Sequence, residues 1–190
     1  MRSVAVMRAQ GSMGYVESED YRAVRVEFSR GDVSALVVLP ESGRTPADLL
    51  DGALDNDALV RLLFAPSVRG RVSLPRFRID SDLDLRRYCE EHGALRPFRN
   101  SPLDGAEFGG ITGNGAYVAA LTQRARLECD EEGTVGEADL RAQLQALGGL
   151  DLEPVEFVDF VADRPFAFFV VHRSARCALF AAIVEEPEAP

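Results

Sequence analysis

The sequence predicts a mixed, mainly antiparallel α+β fold, and three observations predict it. Apolar runs of strand length outnumber segments with helical period. The last three of those runs, VEFVDFVA at 155–162, PFAFFVV at 165–171 and CALFAAIV at 177–184, lie close together in the chain, as antiparallel neighbours do. A length of 190 residues, 46% hydrophobic and 27% charged, is that of one globular domain with a modest surplus.

The elements follow in order. Residues 1–20 contain no apolar stretch of signal-peptide length. YRAVRVEF (21–28) and SALVVLP (34–40), joined by a turn at Ser29, Arg30, Gly31 and Asp32, read as a hairpin. Thr45 before Pro46 and an acidic first turn is a helix start, with Leu49, Leu50 and Ala53 as its apolar stripe. A second helix is expected from Asn56 to Phe64. VRGRVSLPRFRID (68–80) reads as a long strand interrupted by Pro75, which marks an edge, a bend or a crossing between sheets. Asp82 is expected to cap a helix carrying Leu83, Leu85, Tyr88 and Cys89 that stops near Gly93. The chain is loop-rich from Asn100 to Gly115, and strand resumes from Tyr117 to Cys129.

Charge narrows the function. With 31 acidic and 21 basic residues the net charge is -10, which repels nucleic-acid backbones and acidic membranes at long range. No apolar run approaches the ~18 residues that span a bilayer. Lysine is absent from the sequence, so a Walker P-loop, a pyridoxal Schiff base and the ATP-pairing lysine of protein kinases are excluded. A GC-rich coding sequence accounts for the Arg-only composition better than any function does.

Candidate enzyme chemistry does not assemble. Cys89, Cys129 and Cys177 are too widely spaced for a redox pair or a zinc knuckle. Cys89 and His92 supply at most two of about four metal ligands, and a half-buried thiol beside a surface imidazole is the preferred reading. Neither His92 nor His172 has a recognisable nucleophile context. Gly109, Gly110, Gly113 and Gly115 read as a loop, because position 118 is Val where a phosphate cradle needs Gly. The acidic runs at 130–132 and 185–186 read as solvated charge, and Arg69, Arg71, Arg76 and Arg78 form the one local basic patch. The expectation is a non-enzyme with no catalytic residue, metal or cofactor.

The run after Gly133 stands apart. Thr134, Gly136, Ala138, Leu140, Ala142, Leu144 and Ala146 alternate with Val135, Glu137, Asp139, Arg141, Gln143 and Gln145. As a strand, this segment has one face fit for burial and one fit for water. Leu140, Leu144 and Leu147 also stand at helical spacing, so two states are open to it. An exposed, strand-competent segment beside a sheet is an aggregation liability unless it is used.

Glu131-Glu132-Gly133-Thr134, in ARLECDEEGT, resembles the hinge of the serpin reactive-centre loop. Phe160-Val161-Ala162-Asp163-Arg164-Pro165-Phe166, followed by Phe168-Phe169-Val170 and Leu179-Phe180, resembles that family's C-terminal signature. Leu74-Pro75-Arg76-Phe77-Arg78 resembles its LPKFK-type strand, Asp84-Leu85 the start of its next helix, and Phe108-Gly109-Gly110-Ile111-Thr112 its FSGIT turn. Ser34 to Pro40 is similar to its strand ending in VLP. The motifs are ordered along nearly the whole sequence, which resembles the C-terminal half of a serpin.

The resemblance implies a fold of roughly twice this length. Residues 1–190 are then a single truncated domain, an incomplete serpin fold whose N-terminal half, with its NATYFKG-like strand, is expected to be absent. Residues 131–150 are implied to be the exposed reactive-centre loop, with Glu131, Glu132, Gly133, Thr134, Gly136 and Ala138 as its hinge. The family's suicide inhibition places the scissile bond at Leu147-Gly148, suited to a chymotrypsin- or subtilisin-like serine protease, with Arg141 as the alternative for a trypsin-like one. Gln123 stands at the family's usual histidine, Ala182-Ile183 at its late Gly-Arg, and Glu137 and Asp139 interrupt an expected alanine run. The other reading is a non-inhibitory remnant that pairs with a separate partner, its own missing half or a second copy. No nucleic-acid or membrane partner is implied; family members are most often extracellular, and the compartment stays open.

Overall fold

The YRAVRVEF and SALVVLP runs pair antiparallel as expected, while Ser29, Arg30 and Gly31 of the expected turn lie outside the described residues. In the computed structural model, which describes residues 5–28, 32–101, 103–111, 116–130 and 157–186, nine strands are described. They are β1 (Val6–Glu17), β2 (Tyr21–Glu27), β3 (Val33–Pro40), β4 (Ser67–Pro75), β5 (Phe77–Asp84), β6 (Thr122–Cys129), β7 (Phe157–Val161), β8 (Phe166–His172) and β9 (Cys177–Val184). Seven form one sheet in the order β7-β4-β1-β2-β3-β8-β9, and β5 and β6 form a second, two-stranded sheet. All pairings in the larger sheet are antiparallel except that of β4 with β7, which is parallel. The α+β expectation holds.

The chain divides into two compact units, Met1–Arg78 with Glu128–Pro190, and Ile79–Leu127. In the first, β3 is buried on both faces, which is why SALVVLP is a continuous apolar run with little alternation. One face of the sheet presents Leu36, Val38, Ala167, Phe169 and Val171 to the helical residues Leu49, Ala58, Leu62 and Leu63 and to Leu54 between the helices. Elsewhere in this unit Phe77 packs edge-on against Phe166 and Phe168, with ring centroids 5.8 and 5.1 Å apart.

The helices that cover the first core start where the sequence predicts. Helix α1 (Pro46–Asp48) continues as one wide turn over Leu49–Ala53. Its Thr45 hydroxyl accepts from Asp48 N at 3.2 Å, and Thr45 N donates to the Asp48 carboxylate at 2.7 Å, a reciprocal cap. Helix α2 (Asn56–Leu63) is capped by Asp55, whose carboxylate accepts from Ala58 N at 2.7 Å. At its other end the buried Arg25 guanidinium donates to the Leu63 carbonyl, where a cation also complements the helix dipole.

Four expectations need correction. No element is read before Tyr21, yet β1 runs twelve residues and pairs with both β2 and β4. Its inward residues are Met7, Ala9, Gly11 and Met13, which lack the β-branched signature of a strand. Pro75 does not lie within one long strand; it ends β4, Arg76 N donates to Ala5 O at 2.9 Å, and Phe77 opens β5 in the other sheet. Of the three readings of this proline, the crossing between sheets is the observed one. Asp82 is not the cap of α3 (Leu85–Glu91): Asp84 accepts from Arg86 N at 3.0 Å, because β5 runs on to that residue. Gly93, at φ +88, ends that helix in the left-handed region that glycine enters at no steric cost. Finally β6 begins at Thr122 and not Tyr117; in the preceding segment Val118 N donates to Pro97 O at 2.8 Å.

Candidate functional site

The candidate site is a length of chain held between two strands, and its ends are well defined. It follows β6, which ends at Cys129, and precedes β7, which begins at Phe157. Glu131, Glu132, Gly133, Thr134, Gly136, Ala138, Arg141, Leu147 and Gly148 all fall between those points, outside the described residues.

β6 pairs with β5 on one side, and among the described residues no strand lies on its other side. Arg124, Arg126 and Glu128 are exposed while Ala125, Leu127 and Cys129 are half-buried, the alternation of a strand with one covered face. Arg126 pairs with Asp80 at 2.6 Å and Arg124 with Asp82 at 2.9 Å. One number falls as the other rises, as in antiparallel neighbours. These four charges, with Ser81 and Ala125, line an open concavity of about 590 Å³. Exposed pairs of this kind add only about 0–1 kcal/mol each, so their contribution is to register more than to stability.

The far end is fixed more tightly. β7 runs parallel to β4 with Arg69 opposite Phe157, Arg71 opposite Asp159 and Ser73 opposite Val161. Gly70 permits the approach: a Cβ there would stand 2.3 Å from the Val158 carbonyl oxygen. Beyond β7, Ala162 N donates to Ser73 O at 2.9 Å, and Arg164 Nε donates to Pro40 O at 2.9 Å. The stretch matched to the C-terminal signature therefore ties β7 to β8 across the sheet.

Other residues singled out in the sequence do not come together. Cys89 is half-buried, and the His92 ring stacks on Tyr88 with centroids 4.1 Å apart. No group of three or more His, Cys, Asp or Glu suited to a metal occurs among the described residues. Gly109 and Gly110 lie in a turn, and Gly113 and Gly115 lie outside the described residues. No described helix is long and apolar enough to cross a membrane. The sequence reading missed Arg8, which β1 places beside the β4 arginines. It also missed a polar cluster in which Arg173 reaches Glu27 at 3.1 Å and Asp32 at 3.2 Å, joining the β8–β9 turn to the β2–β3 hairpin. The signal for Arg8 was the alternation of Arg8, Gln10 and Ser12 with small or apolar residues.

One surface has no cover among the described residues. β9 is almost wholly apolar, yet residues 177–181 are exposed, with Leu179 at 50% and Phe180 at 43%. A register shift against Val170 and Val171 leaves Leu179 without a residue opposite.

Comparison with known proteins gives a consistent result. The sequence model described as Serpin (serine protease inhibitor) matches residues 1–187. An uncharacterized serpin-like protein of Methanosarcina mazei is 25% identical over 98% of this chain and 42% of its own length. Plasminogen activator inhibitor 1 of Bos taurus is 26% identical over 97% of this chain and 45% of its own. The crystal structure of Manduca sexta serpin-12 superposes on 97% of this chain and 46% of its own, with a TM-score of 0.76 at 20% identity, a likeness of fold. The chain thus spans less than half the length of these relatives.

Proposed function

The chain belongs to the serpin family, and from that premise we propose that it acts as an inhibitor of serine endopeptidases, with residues 131–150 of a single serpin-like domain as bait. The observation that carries this reading is the outer side of β6. The strand leading into Glu131, Glu132 and Gly133 has no described neighbour there, so a further strand can pair with it. Laid beside it, the segment directs Thr134, Gly136 and Ala138 to one face and the acids Glu137 and Asp139 to the other.

The chemistry follows the bait bond. The protease serine oxygen attacks the Leu147 carbonyl and forms an ester, the Leu147–Gly148 peptide bond breaks, and the serine proton reaches the new Gly148 amine through the protease's histidine. Cleavage frees residues 131–147 from their C-terminal tether, and their insertion beside β6 carries the acyl-enzyme away before water hydrolyses it. A leucine bait fits the apolar pocket of a chymotrypsin- or subtilisin-like protease; Arg141 as bait fits a trypsin-like one.

A second reading has its own support. Insertion needs a strand on each side, and the described residues supply β6 alone; β9 is apolar and uncovered. A non-inhibitory binding protein that pairs through these strands with a separate N-terminal half, or with a second copy, accounts for both features.

Incubation with chymotrypsin, subtilisin and trypsin, followed by denaturing electrophoresis, separates the readings. Inhibition yields a covalent adduct at the summed mass. Cutting within 131–156 without an adduct supports the binding protein, and resistance of that segment to all three sinks the inhibitor.

A further inference from the structure

We infer that Arg8, Arg69 and Arg71 form a second contact surface for the attacking protease, one that favours proteases carrying carboxylates beside their cleft; this rests on the bait reading above. The placement comes from the register of three adjacent strands. Gln10 lies opposite Arg71 and Ser12 opposite Arg69 on the β1 side, while Phe157 and Asp159 lie opposite the same two arginines on the β7 side. Arg69 and Arg71 are two residues apart on β4, so their side chains leave the same exposed face about 7 Å apart. Arg8 stands opposite Ser73, which makes it the diagonal neighbour of Arg71 at about 7–8 Å. Two arginines thus follow one another along β4 and the third stands diagonally beside them on β1, all on one face of the sheet.

The cluster is short of counter-charge. Asp159 is the only carboxylate in these rows; it lies 3.7 Å from Arg71, and both side chains are about half exposed. Arg8 and Arg69 make no ion pair among the described residues, whereas Arg22, Arg44, Arg86, Arg87, Arg96 and Arg99 all do. In a chain of net charge -10, three clustered arginines that face a single carboxylate form a local field opposite in sign to that of the whole.

Connectivity identifies the occupant. The scissile bond proposed at Leu147-Gly148 is nine residues before Phe157, and nine residues of fully extended chain span at most about 30 Å. That reach is about the diameter of a small domain, so a protease clasping the bond is held within one domain's width of Phe157 and of Arg69 opposite it. Arginine is the side chain suited to planar, two-point capture of carboxylates. A rim contact of this kind acts mainly on the rate of encounter and on its salt dependence.

The test uses the full chain, the triple variant R8Q/R69Q/R71Q, and the single variant Arg69→Glu in case the triple variant folds poorly. Two chymotrypsin-type isoforms with the same primary specificity and opposite net charge are the probes, and mass spectrometry follows the rate of cutting within 131–156 at low and physiological salt. With the anionic isoform the triple variant is expected to be cut about tenfold more slowly at low salt, and Arg69→Glu about threefold more slowly, with a flatter salt dependence. With the cationic isoform the rates should hold or rise. Equal effects on both isoforms, or none on the anionic one, overturn this inference while the bait reading stands. If neither isoform cuts within 131–156, the bait reading fails and this inference fails with it. Retention on single-stranded DNA that the triple variant loses, with no isoform preference, assigns the arginines to nucleic acid and also overturns it.

Discussion

β8 and β9 are adjacent, hydrogen-bonded and equally apolar, FAFFVVH against CALFAAIV, and their burial is opposite. β8 has β3 on one side and β9 on the other; its Phe166 and Phe168 pack on Phe77, and its Phe169 and Val171 join the core beneath α2. β9 is the sheet's last strand, and most of its side chains remain exposed. The difference teaches that composition sets which strands seek burial, while neighbours decide which obtain it. Monomeric proteins seldom leave a contiguous apolar strand in water, so β9 reads as a surface made to be covered.

The largest expected effect breaks the comparison outright. Phe168→Ala should cost about 3–5 kcal/mol in denaturant unfolding, because it opens a cavity beside Phe77, whereas Phe180→Ala should cost less than about 1 kcal/mol. Equal costs at the two positions would mean that β9 is covered after all. Next comes Gly70→Ala, whose added Cβ meets the Val158 oxygen. It should cost about 1–3 kcal/mol and speed amide exchange through Phe157–Val161 while leaving β8 protected. Phe180→Lys should change monomer stability by no more than about 0.5 kcal/mol and lower self-association by sedimentation, since a charge on an edge strand opposes pairing.

The smallest effect lies at α1. Hydrogen bonds from the Thr45 hydroxyl and then from its backbone N–H hold the Asp48 carboxyl below its ordinary value of 3.8. A carboxyl lowered in the folded state contributes above its unfolded value, and that contribution is lost as pH falls through the folded one. The Thr45 and Asp48 amide resonances should therefore shift on acidification below the usual carboxylate range, and Thr45→Ala should move the transition up towards that range.

Much of the molecule was legible where local chemistry and tertiary context agree. The β2–β3 pairing, the helix starts at Thr45 and Asn56, the stop at Gly93 and the bounds of β9 follow from apolar runs and from the residues that bound them. β1 was not legible, because glycine, alanine and methionine fill its inward positions and only pairing with β2 and β4 makes it a strand. Local chemistry alone puts the cap of α3 two residues early, at Asp82, because Asp82 and Asp84 are equal in chemistry; the family resemblance puts the helix start at Asp84-Leu85, where it is observed, and Asp82 pairs across the strands with Arg124. For the site, the motifs point to a segment that lies outside the described residues, and the structure describes the strands on either side of it: the one-sided β6 and the tightly packed β7. Arg69 and Arg71 were legible as a local basic patch, and only β1 shows that Arg8 stands beside them.

The proposal on which the others depend is that residues 131–150 are presented to proteases as bait. Limited digestion of the intact chain with chymotrypsin, with products mapped by mass, tests it most directly. The account predicts that the first cut falls between Thr134 and Leu150, with Leu147–Gly148 the leading bond, while β1–β4 and β8 stay whole. A first cut in any other part of the chain, with 131–156 intact, would contradict it.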